Sequence, residues 1–352
     1  MHIIDAHLDM AYNAVLWQRD LRQPLADLRA HEKRHPLPAH VGTALVTVPA
    51  LLEGRVGVVG GSIFVAPDAG EWSREIEVYR NAEEAHAQGV AQLDYYRRLA
   101  DADPRVRLLC DAQDLAAVRR SWECDTPQVG IFVVMEGADP IREPGEVAWW
   151  VERGLRGVGL AWAKGTRYAG GNAHPGPLTD AGRALLDAMA EYHLLLDISH
   201  LWEEAAYEVL DRYPGPVVAT HANPRAFVDS PRMLSDDMIL RVAEREGVVG
   251  LIPYNRMLEP GWSPNDPRLA LDRWAAAIDH VCQLTGSAAF AGIGSDFDGG
   301  FGVESVPAEI DAVADLGKVA DALRARGYDA ADVAAILHGN WLRVMASVLA
   351  RA

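Results

Sequence analysis

Short apolar runs alternate with longer amphipathic segments along the whole chain, and this alternation limits the folds available to it. Eight of the runs are typical of buried parallel strands: His2–Ala6, Val56–Val65, Gly130–Met135, Leu155–Ala161, Leu194–Ile198, Pro216–Ala219, Val248–Ile252 and Phe290–Gly294. A ninth run, Val106–Cys110, is predicted to be a minor strand. About eight strand–helix repeats over ~250 residues or more are typical of a (β/α)8 barrel. We therefore predict an α/β fold, a TIM-like barrel, with residues 1–352 forming one domain; a doubly wound open sheet is the alternative.

The amphipathic segments between these runs predict helices. They are Ser73–Ala100, Thr179–Tyr192, Glu203–Arg212, Ser235–Glu246, Leu269–Leu284, Leu316–Arg326 and Ala330–Leu349. Thr179 followed by Asp180 is a favourable pair for the start of a helix, because both side chains can satisfy free backbone N–H groups in the first turn.

Charge and hydropathy exclude several classes of partner. Lys and Arg number 33 against 50 Asp and Glu, so the formal net charge is −17. Such a chain repels phosphate backbones and anionic lipid surfaces, and we expect neither nucleic-acid nor membrane partners. The first ten residues lack the apolar core of a signal peptide, and the longest apolar runs are too short to cross a bilayer. We therefore expect a cytoplasmic protein.

Histidines and carboxylates follow the ends of the predicted strands. His7 and Asp9 lie two residues apart, so their side chains point to the same side of the first strand. Four more such residues follow later strands: Glu136, His200, His221 and Asp296. In a TIM barrel these carboxyl ends surround one site. An ordinary ion pair explains any one residue, but five strand ends together favour two divalent cations such as zinc, with one carboxylate able to bridge them.

Five motifs carry a resemblance to a known family. The segments DAHLD, VVMEGAD, LDISH, VVATHANPR and GIGSDFDG resemble those of the membrane (renal) dipeptidase family of metallopeptidases, within the amidohydrolase superfamily, in colinear order from His2 to about Leu349. The resemblance implies a (β/α)8 barrel with a binuclear zinc centre, two Zn2+ per chain. The implied ligands are His7 and Asp9 for one ion, His200 and His221 for the other, Glu136 as the bridge, and Asp296 beside the first ion and the shared hydroxide.

The same resemblance implies residues that contact the substrate. Arg232 would pair with the terminal carboxylate of the substrate, and Tyr254 would lie beside it. A surface salt bridge is the alternative explanation for Arg232, and a buried core aromatic is the alternative for Tyr254.

Trp162 departs from the family pattern. Family members carry a histidine in a Leu-Thr-His context, where it helps to polarise the scissile carbonyl, whereas this chain reads Leu160-Ala161-Trp162. We still expect Trp162 to contact the substrate, because its indole N–H can donate one hydrogen bond although it cannot bind a metal. Four residues in the following segment are candidates to replace the missing histidine: Lys164, Arg167, Tyr168 and His174.

The resemblance implies that the chain is a zinc-dependent dipeptidase, a hydrolase that takes part in proteolysis. A metal-bridging hydroxide would attack the peptide bond of a small dipeptide, including one with a D-residue at its C-terminal position, and catalytic Asp296 would transfer the proton to the departing amine. An amidohydrolase acting on N-acyl amino acids or lactones at the same site is the alternative, suggested by Trp162. A non-catalytic metal-binding protein is the third hypothesis. A homodimer is left open, because Trp149, Trp150 and Trp202 are either interface aromatics or core residues.

One further motif and the cysteines are interpreted as having no catalytic role. The segment from His31 to His35 matches HExxH, which binds zinc when both histidines lie on one face of a helix. Its neighbourhood is polar and is followed by Pro36 and Pro38, which predicts a solvated helix end and loop. The three cysteines, Cys110, Cys124 and Cys282, form no CxxC pair, so neither a disulfide framework nor a thiolate zinc site is expected.

Overall fold

Eight parallel strands form the centre of the structure, a computed structural model that describes residues 3–68 and 77–351. The strands are β1 (Ile3–Leu8), β2 (Val56–Phe64), β3 (Val129–Glu136), β4 (Leu155–Gly159), β5 (Leu195–Asp197), β6 (Val217–Val218), β7 (Val249–Leu251) and β8 (Ala291–Ile293). They pair in the order β6-β5-β4-β3-β2-β1-β8-β7. Ala219, just after β6, forms a parallel bridge with Val249 and so joins the two edges. The (β/α)8 barrel is confirmed, as are all eight predicted strands, and the open sheet is excluded.

The barrel strands are buried on both faces. Every residue of β1, β2 and β3 is buried, as expected for parallel strands that enclose a core on one side and carry helices on the other. Two glycines allow the strands to close tightly beside the site described below. A Cβ atom at Gly250 or Gly294 would clash with the carbonyl oxygen of Thr220.

Helices surround the barrel. Their bounds are α1 (Met10–Leu16), α2 (Leu25–Arg34), α3 (Val48–Glu53), α4 (Ala82–Ala102), α5 (Ala112–Ser121), α6 (Val147–Glu152), α7 (Asp180–Glu191), α8 (Glu203–Arg212), α9 (Asp236–Glu244), α10 (Asn255–Leu258), α11 (Leu271–Thr285), α12 (Val319–Ala325), α13 (Ala330–Ala334) and α14 (Asn340–Leu349). The prediction for α8 is confirmed at both ends. Thr179 caps α7 as expected, because its side chain accepts a hydrogen bond from the N–H of Gly182 at 3.0 Å.

The helix predicted over Ser73–Ala100 begins later in the structure. The first part of the segment Ser73–Ala100 lies outside the described residues, and its next part is not helical, because Val78–Tyr79 pairs as a short strand with Ala66–Pro67. The helix begins only at Ala82, since the side chain of Asn81 accepts a hydrogen bond from Glu84 N–H and caps it.

The C-terminal helices are shorter than predicted. The segment predicted as Leu316–Arg326 starts with a 3₁₀-helix, Val313–Lys318, and becomes α12 only at Val319. The segment predicted as Ala330–Leu349 is interrupted by a π-helical turn at Ala335–Gly339. In both segments the spacing of the backbone hydrogen bonds changes while the chain remains helical. The periodicity of the apolar residues does not reveal such a change.

Smaller elements complete the fold. Val106–Leu108 pairs with β3 outside the barrel order, which confirms it as a minor strand. An antiparallel hairpin, Ala169–Gly171 with His174–Leu178, follows β4. No helix in the described ranges is long and apolar enough to cross a membrane.

Candidate metal centre

Glu136, the last residue of β3, lies at the centre of the six predicted metal-site residues. Its Oε2 is 3.3 Å from Nε2 of His7, while its Oε1 is 3.0 Å from Nε2 of His200 and 3.5 Å from Nε2 of His221. Asp9 adds an oxygen 3.6 Å from His7 Nε2. The two oxygens of one carboxylate therefore face two different pairs of donor residues at the carboxyl ends of the strands.

Three overlapping groups of side chains have donor atoms close enough to hold a cation. One is His7, Asp9 and Glu136, another is Glu136, His200 and His221, and a third is His7, His221 and Asp296, with the donor atoms of each group within 4.8 Å of one another. Asp296 thus approaches both halves of the cluster and not just the half that contains His7 and Asp9. All six predicted residues are brought together.

The backbone is strained at two of these residues. His200 has φ 66° and Asp296 has φ 56°, both in the left-handed region that non-glycine residues seldom adopt. Such a conformation costs about 1–3 kcal/mol and is typically maintained at functional sites. The N–H of Asp296 donates to the carbonyl oxygen of His7 at 3.1 Å, which ties the end of β8 to the end of β1.

Thr220 orients two of the histidines. Its hydroxyl donates to Oδ2 of Asp197 and lies 3.2 Å from Nδ1 of His7 and 2.9 Å from Nδ1 of His221. A hydroxyl has one proton and two lone pairs, so the Thr220 oxygen accepts from both imidazoles once its proton is given to Asp197. Both rings then keep a proton on Nδ1 and turn Nε2 toward the cluster, which leaves Nε2 as the atom for metal ligation.

Asn172 orients the third histidine. Its Oδ1 lies 2.9 Å from Nδ1 of His200, and its backbone N–H donates to the carbonyl oxygen of His200 at 2.8 Å. Because an amide oxygen can only accept, His200 carries its proton on Nδ1 and directs the lone pair of Nε2 at Glu136. The hairpin after β4 is thus attached to the metal-site side of β5.

The electrostatics favour a bound cation. Burial alone would raise the pKa of Glu136, but interactions with His200, His221 and His7 hold the pKa well below its usual range. Burial alone would lower the pKa of His7, but the carboxylates of Asp9 and Glu136 raise it well above its usual range. His7 Nε2 is buried and has no hydrogen-bond partner of good geometry in the described part of the chain. The carboxylates therefore attract positive charge to the position between them.

The pKa values of His200, His221 and Asp296 are shifted as well. Burial lowers the pKa of His200 to about 4, and the charge of Arg232 adds to this shift. Burial also lowers the pKa of His221 well below its usual range. Burial raises the pKa of Asp296 well above its usual range, and the charges of Asp9 and Glu136 add to the shift. Two neutral imidazoles next to carboxylates are the donor set that zinc and related divalent cations bind.

A cavity of about 250 Å³ opens above the cluster. Its lining includes Asp9, Glu136, His200 and Asp296. Among the described residues along this cavity, four are carboxylates and only Arg232 is a guanidinium.

Arg232 is buried, so the surface salt bridge considered for it is excluded. Its Nη2 donates to the carbonyl oxygen of His221 at 2.8 Å. Its Nε and Nη1 atoms are buried and have no hydrogen-bond partner among the described residues. A guanidinium held in this way can accept an anionic group that enters the cavity.

Tyr254 and Trp162 also line the cavity. Tyr254 stacks on Phe301 with ring centroids 4.2 Å apart and planes inclined by 2°. Trp162 lies edge-on to Phe64, with centroids 5.1 Å apart, and its ring is 6.3 Å from that of His200. Both residues predicted to contact substrate are therefore accessible from the cavity.

The four candidates for replacing the missing histidine are not among the residues that line the cavity. Arg167 is instead paired with Asp139 at 2.9 Å, and Tyr168 is buried with its hydroxyl on the carbonyl oxygen of Ile141. His174 is exposed on the hairpin, and Lys164 lies in the turn before it. The expectation that one of them enters the pocket is wrong, because Arg167 and Tyr168 are held by other partners and His174 lies on the exposed strand of the hairpin.

Sequence reasoning missed several residues of the site. Thr220 and Asn172 carry no metal-ligand signal of their own, and their contacts arise from pairing between β5 and β6 and from the hairpin. Tyr12 and Phe64 line the cavity. Tyr12 lies three residues after Asp9 on α1, and Phe64 is the last residue of β2. Each position lies at or just after the carboxyl end of a barrel strand, which is the signal that points to it.

The HExxH segment is separate from this cluster. His31 is exposed on α2 and His35 is exposed just after that helix, and Glu32 pairs with Arg19 at 2.7 Å. The interpretation as a solvated helix end is confirmed. Trp150 is completely buried and is a core residue, whereas Trp149 and Trp202 are partly buried.

Comparisons with known proteins agree with the geometry. A model of the membrane dipeptidase family (peptidase family M19) matches residues 1–352. Dipeptidase tcpJ of Claviceps purpurea is 26% identical over 99% of this chain and 75% of its own length. An uncharacterized protein in the pqqA 5' region of Klebsiella pneumoniae is 29% identical over 71% of this chain and 92% of its own length. A metallo peptidase from Rhodobacter sphaeroides, solved with a phosphinate mimic of the dipeptide L-Ala-D-Ala, superposes with a TM-score of 0.78 at 24% identity, covering 98% of each chain, and shows the same fold.

Proposed function

Because this chain belongs to the membrane dipeptidase family, peptidase family M19, and is thus a metal-dependent hydrolase, we propose that it is a zinc dipeptidase. Its substrates are small dipeptides, and residues 1–352 act as one catalytic domain. The observation that carries the proposal is the position of Glu136, with one carboxylate oxygen directed at His7 and the other at His200 and His221.

The donor set fits two zinc ions. One ion would be held by His7, Asp9 and Glu136, and the other by His200, His221 and the same Glu136. The buried, unpartnered Nε2 of His7 supports this assignment, since it leaves a ligand atom facing the carboxylates. When bound, such a pair of cations lowers the pKa of a water molecule and polarises the scissile carbonyl.

Asp296 is proposed as the general base and general acid. Its carboxylate accepts a proton from the attacking water while the water oxygen bonds to the carbonyl carbon, and it returns that proton to the leaving nitrogen as the C–N bond breaks. The products are two amino acids. Asp296 lies beside both His7 and His221, so its carboxylate can reach a water molecule between the two halves of the cluster. This position supports the proposed role.

Arg232 and Tyr254 are proposed to hold the C-terminal half of the substrate. The Nε and Nη1 groups of Arg232 can donate hydrogen bonds to the terminal carboxylate of a dipeptide. Because these groups are buried, they favour a substrate that supplies an anionic partner. Tyr254 lines the same cavity and is stacked on Phe301. The L-Ala-D-Ala mimic bound by the Rhodobacter sphaeroides protein supports including dipeptides with a D-residue at the C-terminal position.

A second candidate function is hydrolysis of N-acyl amino acids or lactones at the same metal site. The observation that favours it is Trp162, which places an indole where family members carry a histidine. An acylated amino acid retains the carboxylate that Arg232 binds, whereas a lactone lacks it. Hydrolysis of acylated amino acids should therefore depend on Arg232, whereas hydrolysis of lactones should not.

Hydrolysis of a dipeptide panel by the zinc-loaded protein tests the proposal. The panel pairs L-residues at the first position with L- or D-residues at the second, and Asp296→Asn is the matched variant. We expect cleavage by the wild type and a loss of at least about 10²-fold in kcat for the variant, with zinc content retained. An inactive wild type carrying two zinc ions per chain would reject the dipeptidase assignment and direct attention to acyl amino acids and lactones.

A further inference from the structure

Three aromatic rings form a continuous surface on one side of the cavity. Tyr12 lies edge-on to Phe64 with centroids 5.0 Å apart, and Phe64 lies edge-on to Trp162 at 5.1 Å. We call these three residues the aromatic wall. All three line the cavity above the metal cluster, so the wall offers its apolar surface to a bound substrate.

The barrel places this wall opposite the carboxylate-binding side. In a closed barrel of eight strands, β2 lies across from β6 and β4 lies across from β8. Phe64 ends β2 and Trp162 follows β4, while Arg232 follows β6 and Phe301 follows β8. Tyr12, after β1, joins the wall through its contact with Phe64. A substrate held by Arg232 that passes over Glu136 therefore reaches the aromatic wall with its other end.

Two residues of the wall are held firmly in place. The side chain of Gln92, buried on α4, accepts a hydrogen bond from Phe64 N–H at 2.9 Å and donates to Phe64 C=O. The carbonyl oxygen of Trp162 accepts a hydrogen bond from Gly165 N–H at 2.8 Å, closing a tight turn. A surface fixed before binding loses little conformational freedom when a ligand packs against it.

We propose that the aromatic wall is a subsite for a large apolar side chain on the N-terminal residue of the dipeptide. This rests on the proposed function, which puts the terminal carboxylate at Arg232. Rigid aromatic surface in a cavity binds apolar groups because both surfaces leave water on contact. The preferred substrates are dipeptides such as those beginning with Phe or Leu.

Binding of two phosphinate dipeptide mimics tests the proposal without relying on turnover. Both mimics end in the same carboxylate; one carries a methyl group and the other a benzyl group at the N-terminal position. Isothermal titration calorimetry of the zinc-loaded protein gives the ratio of their affinities. We expect the benzyl mimic to bind about tenfold or more tightly, within the range by which an apolar pocket separates ligands of different size.

Three variants identify the source of that ratio. Trp162→Ala and Trp162→His should reduce it to about one, with zinc content unchanged by elemental analysis. Tyr254→Leu removes an aromatic ring from the opposite side and is the matched control; it should weaken both mimics to a similar extent and leave the ratio unchanged. Equal affinities in the wild type, or a ratio that persists in Trp162→Ala, would overturn the proposal.

The dipeptide panel separates this inference from the proposed function. We expect kcat/KM for dipeptides beginning with Phe or Leu to be about tenfold or more above that for the matched dipeptide beginning with Ala. This result supports both the subsite and the dipeptidase assignment. Cleavage without that preference leaves the dipeptidase assignment intact and overturns the subsite. Selective binding of the benzyl mimic by a protein that cleaves no dipeptide supports the subsite and rejects the dipeptidase assignment.

Discussion

His7 and His221 direct their Nδ1 atoms at one and the same hydroxyl oxygen, that of Thr220, at 3.2 and 2.9 Å. The imidazole rings lie close together, with centroids 3.7 Å apart. Because Thr220 gives its own proton to Asp197, it acts on both rings as an acceptor and sets both tautomers. One residue outside the proposed ligand set thus orients a proposed ligand in each half of the cluster.

Replacement of Thr220 by valine should therefore weaken both cation sites. We expect about a 10–100-fold loss of zinc affinity, the usual effect of removing a group that orients a metal ligand, measured by competition with a chromogenic chelator. Thr220→Ser keeps the hydroxyl and should bind zinc about as tightly as the wild type. Wild-type affinity in Thr220→Val would contradict the role of the shared hydroxyl.

Removal of the cations should lower the stability of the fold. Asp9 and Glu136 are buried, and their charges act on the carboxylate of Asp296, so without cations these three acidic groups oppose one another. Zinc at about 1,000 times its Kd should add about 4 kcal/mol to the free energy of unfolding, seen as a higher melting temperature that a chelator reverses. Glu136→Gln should show a smaller zinc-dependent shift, since it lacks the bridging charge. A melting temperature unaffected by chelation of zinc-loaded protein would contradict this account.

Arg232 should contribute to binding only for substrates that end in a carboxylate. Arg232→Lys keeps the charge but loses the planar arrangement of donors, and we expect KM to rise about tenfold or more for free dipeptides. The control is the same pair of enzymes with the C-terminal amide of each dipeptide, for which the two KM values should be similar. An equal rise in KM for acids and amides would show that Arg232 acts only through its contact with His221.

Gln92 should influence substrate preference without touching substrate. Gln92→Met removes both hydrogen bonds to the backbone of Phe64 and should reduce the benzyl-to-methyl affinity ratio several-fold, leaving zinc content unchanged. Gln88→Met is the matched control, because Gln88 lies one turn earlier on α4 and bonds to Val78 instead. If the two variants alter the ratio to the same extent, Gln92 does not position Phe64 for binding.

Much of the fold and of the metal cluster was readable from the sequence, because both depend on strand ends. A buried parallel strand needs a continuous apolar run, and this marks β3 and the position of Glu136 directly after its run. His7 and Asp9 follow from the alternation of side chains along β1. The six predicted metal-site residues converge because a closed barrel brings all carboxyl ends of its strands to one site.

The parts that were not predicted depend on contacts distant in sequence. The interruption at Ala335–Gly339 changes hydrogen-bond spacing without changing the apolar pattern. The position of Arg167 is decided by its pairing with Asp139, 28 residues earlier. Likewise, Asn172 meets His200 only because the hairpin after β4 folds back over β5. Composition and periodicity contain no information about such partners.

The measurement that tests the central claim most directly is a titration of metal-free protein with zinc, followed by dipeptide hydrolysis at each step. If Glu136 joins two cations in one catalytic centre, activity should rise until two equivalents per chain are bound and then remain constant, and Glu136→Gln should stay inactive throughout. Full activity at one equivalent, or an active Glu136→Gln variant, would contradict the account.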